Sequence, residues 1–220
     1  MAKKAQKQKA KKRQRSLERK RAKRKQAQAR ATRRPTGTRA LLKSSARWPL
    51  MECLLTRDWQ KPREIIQILV ARRSPSGRVA IATFLVDLGC LGVKSAFASL
   101  FDSAFEYRTQ LRDPMMARQV LTPADLNLVA KIIDEGVAYA GSLGFKPDPD
   151  YRDALIVLGD TDPEACDIPI PLGGEDGNPF FIAGPHDNVP KIMAQLERVM
   201  GPGNFHFMAP MEMMDPDFFD

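Results

Sequence analysis

The groups able to do covalent or metal chemistry are few. Cys53, Cys90, Cys166, His186 and His206 are all the thiols and imidazoles in the 220 residues. A zinc site draws such residues in pairs at short spacings, and no two of the five are so spaced. An odd number of cysteines without paired spacing also argues against a disulfide framework and for reduced thiols.

Cys90 has the richest setting, within Gly89-Cys90-Leu91-Gly92-Val93-Lys94-Ser95. An apolar run precedes it and a segment of helix formers follows. A strand-to-helix turn of that kind aims backbone amides at an anion. The phosphate-loop pattern is not met, because the glycines stand too close and Val93 separates Gly92 from Lys94. In such a helix Lys94 would lie one turn from Cys90, where a cation lowers a thiol pKa. If the chain is an enzyme, the expectation is a small hydrolase-like one with Cys90 as nucleophile and a cleft joining Asp87, Cys90 and His186. Asp160-Thr161-Asp162-Pro163-Glu164 alternates carboxylates as a hard-cation loop does. Pro163 and Ala165 stand where such a loop needs flexibility and glycine. Asp162 capping a short helix that begins at Pro163 accounts for the pattern. No metal or cofactor is expected.

The remaining chemistry is electrostatic. Of the 35 Lys and Arg residues, 19 fall in residues 1–45, where Glu18 is the single acid, for a net charge of +18. Residues 46–220 carry 16 bases and 25 acids, a net charge of −9. Opposed halves of this size predict a polyanion-binding segment on an acidic body. The densest clusters are Lys11, Lys12, Arg13 and Arg15, then Arg19, Lys20, Arg21, Lys23, Arg24 and Lys25. These ten are the expected nucleic-acid contacts. Each phosphate they neutralise releases condensed counterions. No aromatic residue interrupts them, so stacking on bases is not expected and binding should be indifferent to sequence. If the host has a nucleus, the same clusters could serve for nuclear import.

Residues 1–45 read as a disordered basic arm, because Lys, Arg, Gln and Ala cannot bury enough apolar area to offset ordering. Residues 46–208 read as a single α+β domain, and 209–220 as a flexible acidic tail. Met213, Met214, Phe218 and Phe219 would be the tail's anchors for a protein partner. The longest apolar run, Val79 to Val93, is too short to span a bilayer and contains Asp87. A basic start with no apolar stretch behind it fits neither a signal peptide nor a membrane-surface helix. The expectation is a cytoplasmic protein with no membrane association.

The elements that must position these groups follow from periodicity. Glu64 to Arg73 and Arg78 to Leu88 are β-branched runs around Ser74-Pro75-Ser76-Gly77 and predict a hairpin. Lys94 to Phe105 predicts a helix. Thr122 as cap and Pro123 as first residue predict a longer helix, with Leu126, Val129, Ala130, Ile133, Val137 and Ala140 on its core face and Gly144 as its stop. Tyr151 to Leu158 predicts a short helix stopped at Gly159. Ile168 to Leu172 and Phe180 to Ala183 predict strands of a second hairpin. Asp187 or Asn188 caps a last helix, ended by Gly201-Pro202-Gly203, and Phe205 to Met208 predicts an edge strand. Hairpins and helices in this order give α+β with a mainly antiparallel sheet and three or more packed helices.

Overall fold

The computed structural model describes residues 38–61 and 65–209. Its centre is a five-stranded antiparallel sheet: β1 (Leu50–Thr56), β2 (Ile65–Arg73), β3 (Val79–Asp87), β4 (Gly92–Phe101) and β5 (Leu121–Pro123), in the spatial order β4-β3-β2-β1-β5. The first four strands form a meander in which each pairs with the next. β5 returns to pair with β1 on the far edge. Helix α1 (Thr38–Ser45) precedes the sheet, and Leu42 is the first residue packed in its core. A helical segment, α2, covers 104–116. Its α-helical turns Ala104–Tyr107 and Asp113–Met116 flank a π-helical stretch, Arg108–Arg112. α3 (Leu126–Ser142), α4 (Tyr151–Leu158) and α5 (Val189–Met200) follow, with a 3₁₀ turn at Pro163–Ala165. Two three-residue strands, β6 (Phe180–Ile182) and β7 (His206–Met208), pair in parallel. This is an α+β fold with a mainly antiparallel sheet, as the order of elements predicts.

Alternation along the strands sorts side chains onto two faces. Cys53, Leu55, Ile66, Ile68, Val70, Ala80, Ala82, Phe84, Ala96 and Ala98 face α3 and α4. Leu54, Leu69, Ala71, Val79 and Ile81 face the other way, toward Tyr107 and Leu121. A third apolar cluster lies apart from the sheet faces and joins Cys90, Leu91 and Leu143 to Phe181, Ala183 and Leu196.

Three expectations need correction. Lys94 to Phe105 is not a helix: Gly92–Phe101 is strand β4, paired with β3 along its length. Alanine and lysine favour helix only weakly. Here Ala96 and Ala98 stand at the two-residue period of a strand, beside Phe84 and Ala82 on β3. Their small side chains help to cover the face that receives α3 and α4. Thr122 does not start α3. It lies in β5, and the cap is Asp125, whose Oδ1 accepts from the Asn127 and Leu128 amides. At the other end Gly144 (φ 81°) closes a Schellman turn, with its amide on Gly141 O and that of Phe145 on Ala140 O. Finally, Ile168 to Leu172 is not a strand, and Phe180–Ile182 pairs with His206–Met208 rather than with it. The glycine loop between them does close on itself, Gly174 N to Asn178 O at 2.7 Å.

The hairpin turn at Ser74, α4 with its stop at Gly159, and the Asp162-capped turn all form as expected. α5 starts after Asn188 and ends at Gly201.

Candidate functional site

The turn from β3 to β4 gathers several buried titratable groups. Asp87 ends β3 and pairs with Gly92 across the turn. Its side chain is only 4 % exposed. Oδ1 accepts from the Gly89 amide at 2.8 Å and the Cys90 amide at 3.2 Å, and the Leu91 amide also faces the carboxylate. Oδ2 is buried without a hydrogen bond of ordinary geometry. Burial pushes the Asp87 carboxyl above its ordinary range, against the pull of Lys94 and of the three amides.

Lys94, on β4, reaches Asp187 Oδ2 at 2.7 Å, in a pair largely shielded from water on both sides. The same oxygen accepts from the Gly184 amide at 2.8 Å, so Asp187 orders its own loop as well as holding the lysine. Tyr139, on α3, places its hydroxyl in the same region. That hydroxyl is buried without a partner and its pKa is pushed up to about 12, by burial and then by Cys90 and Asp87. Backbones close around the set. A side chain on Gly89 would meet Phe180 O at 2.4 Å, and one on Gly173 would meet the Tyr139 hydroxyl at 2.9 Å.

Of the cleft expected from Asp87, Cys90 and His186, the fold brings the first two together and adds Lys94, Asp187 and Tyr139. His186 is exposed on the loop before α5. Cys90 is fully buried among Leu91, Leu143, Phe181, Ala183 and Leu196. Burial first, then Asp87, pushes its thiol far up, so this conformation withholds the thiolate that a nucleophile needs. The turn also fails as an anion cradle, because a strand follows it and its Gly89 and Cys90 amides already donate to Asp87.

The other expected positions are dispersed. Cys53 lies in β1 with its thiol pushed up to about 12, by burial and then by Asp125. Cys166 is half-buried after the Pro163–Ala165 turn, and its carbonyl accepts from Lys131 Nζ at 2.6 Å. His206 Nε2 and Asp176 Oδ2 are 2.8 Å apart on the surface, and that bond holds the Asp176 carboxyl down to about 2. Among the described residues no three His, Cys, Asp or Glu converge so as to hold a metal ion. Nor is any described helix long and apolar enough to cross a membrane. Lys11, Lys12, Arg13, Arg15, Arg19, Lys20, Arg21, Lys23, Arg24 and Lys25 lie outside the described residues, as do Met213, Met214, Phe218 and Phe219.

Two polar centres have no counterpart in the sequence reading. Arg72 is buried on the α4 side of β2 and donates to the carbonyls of Val157, Leu158 and Trp48. The consecutive arginines that end an otherwise apolar strand are a signal for it, since alternation turns one of them inward. On the opposite face Arg112 Nε meets Glu52 Oε2 at 3.0 Å. Glu52 Oε1 and the Tyr107 hydroxyl are both buried there without a hydrogen bond of ordinary geometry. Burial, then the facing Glu52 carboxylate, pushes the Tyr107 hydroxyl up. Two backbone irregularities meet at this pair, a register shift between Leu50 and Glu52 in β1 and the π-helical stretch of α2.

Neither a family model, nor a curated protein, nor a solved structure matches the chain.

Proposed function

We propose that the protein is a nucleic-acid-associated accessory protein, bound to RNA or to ribosomes, whose residues 1–45 grip a polyanion without reading its sequence while the body engages a protein partner. The observation that supports this is the segregation of charge: +18 in residues 1–45 and −9 in residues 46–220. A segment of that density gains affinity from counterion release at any phosphate backbone. The acidic remainder opposes general adsorption, which confines the contact to the basic segment. The enzyme reading draws no support from Cys90 in this conformation, because the thiol is sealed.

The test keeps the whole chain. Lys11, Lys12, Arg13, Arg15, Arg19, Lys20, Arg21, Lys23, Arg24 and Lys25 are replaced together by Gln, and affinity for several unrelated RNA and DNA oligomers is measured against salt. The native chain should bind them with similar affinity. Six neutralised phosphates correspond to log K falling by roughly 5 per decade of salt. The substituted chain should lose most of that slope and most of its affinity. Unchanged affinity after substitution refutes the assignment of these ten residues.

A further inference from the structure

Beyond Leu172 no buried apolar residue of the described chain packs in the sheet core. Ile170 and Leu172 pack with the α3 and α4 face of the sheet, whereas Phe181, Ala183 and Leu196 belong to the separate cluster around Cys90. Between them runs a stretch with Gly173 at φ 77° and Gly177 at φ 78°. From there to Ala209 — β6, α5 and β7 — the packed apolar residues belong to that third cluster. The rest of the molecule supplies half of the cluster's buried residues, Cys90, Leu91 and Leu143.

The polar ties across this boundary are short and few among the described residues. The Gly173 and Phe180 amides donate to Leu88 O and Gly89 O, both at 2.9 Å. Gln195 Nε2 donates to Leu143 O at 2.7 Å, and Lys94 pairs with Asp187. The last is the one ion pair among them. The closed arrangement also buries Asp87 Oδ2 and the Tyr139 hydroxyl without a hydrogen bond of ordinary geometry. Buried groups of this kind are uncommon and costly, and access to water would relieve them. A C-terminal segment held by few polar ties and loaded with such a cost is the kind that opens below the global unfolding barrier.

We infer that residues 173–209 form a strap, hinged at Gly173–Gly177 and latched by Lys94 and Asp187, whose opening uncovers the Cys90 thiol and the Asp87 carboxylate. In the closed state the strap lies on the turn at backbone contact, so no reagent reaches Cys90 without movement. In the open state Lys94 is released from Asp187 beside an exposed thiol. The strap therefore governs whether the Asp87, Cys90 and Lys94 set is sealed or available. This inference is independent of the polyanion reading.

The experiment uses the full chain with Cys166→Ser, which leaves two buried thiols, Cys90 under the strap and Cys53 in β1. Each is followed by mass spectrometry during labelling with an aromatic disulfide under native conditions. Cys90 should label faster than Cys53. Lys94→Met and Asp187→Asn should each raise the Cys90 rate by about tenfold and leave Cys53 unchanged. Equal labelling of Cys90 and Cys53 in all variants, or latch substitutions that speed both alike, overturns the strap. Hydrogen exchange on the unsubstituted chain checks the same point without mutation. The Ala183 and Leu196 amides should exchange faster than those of Ile68 and Phe84, and equal protection overturns it.

Discussion

Arg72 closes the C-terminal end of α4. Its Nε donates to Val157 O at 2.6 Å and a terminal nitrogen donates to Leu158 O, where the helix leaves carbonyls without intrahelical partners. The cation also meets the negative end of the helix dipole. Its third bond, 2.8 Å to Trp48 O, ties the entry of β1 to the same point. Arg72→Ala should cost about 2–4 kcal/mol in denaturant unfolding, because it strands carbonyls in a buried site. Arg72→Lys should recover only part of that, since an ammonium cannot reproduce the planar fork. Asp87 makes a different prediction. Its folded-state pKa is raised, so the folded state holds the proton more tightly than the unfolded chain, whose ordinary value is 3.8. The stability this contributes is complete below the unfolded value and is lost as pH rises through the folded one. Asp87→Asn keeps an acceptor for the Gly89 and Cys90 amides but does not titrate. Its stability relative to the native chain should therefore rise with pH above about 4, by at most about 1.4 kcal/mol per unit. A flat difference across pH 4–7 contradicts the assignment.

Among the elements, α3 approaches the sheet so closely that small residues are obligatory at the contact. A side chain on Gly92, already at φ 64°, would meet Gly136 O at 2.7 Å and Ala140 Cβ at 2.8 Å. Gly92→Ala should cost about 2–4 kcal/mol, from overpacking together with left-handed backbone strain. Gly141, a neighbour on the same helix, gives the opposite sign, because nothing lies within 4 Å of the place a methyl group would take. Gly141→Ala should gain up to about 1 kcal/mol. Thermal melts of the two variants decide the point. These contacts also show what the sequence can and cannot disclose. β2 and β3 are readable because β-branched runs flank a Ser-Pro-Ser-Gly turn, and α4 because its glycine stop is local. β4 is not, because its alanines are chosen for the helices they face and those helices lie far along the chain. Asp87 and Cys90 are grouped correctly because they share one turn. Asp187 stands 93 residues from Lys94, and no local pattern links them; its place before α5 suggests a helix cap. Tyr139 lies on a helix whose apolar stripe is sufficient reason for its spacing, so its buried hydroxyl leaves no trace in the pattern.

For the molecule as a whole, the isoelectric point near 9.6 describes an average of two unlike parts. A chain beginning at Thr38 keeps every described element and holds 18 bases against 25 acids. It should therefore change sides on ion exchange at neutral pH, with the full chain retained on a cation exchanger and the shortened one on an anion exchanger. Retention of both on the cation exchanger refutes the segregation of charge as the property that governs the surface.

The parallel pairing of β6 and β7 bears on how the chain is made. Strands β1 to β4 each find a partner next in line, so their hairpins can form while later residues are still being added. β6 cannot, since a parallel neighbour requires a crossover. Here the crossover is α5, and the neighbour begins at His206. Until that residue is synthesised, Phe181 lacks Phe207, the ring that stacks on it at 5.5 Å. A chain that stops between Met200 and His206 thus keeps its central sheet but leaves β6 unpaired and an aromatic core residue uncovered. Quality-control proteases and chaperones recognise such features, so termination in that short interval should be read by the cell as misfolding rather than as a minor trim.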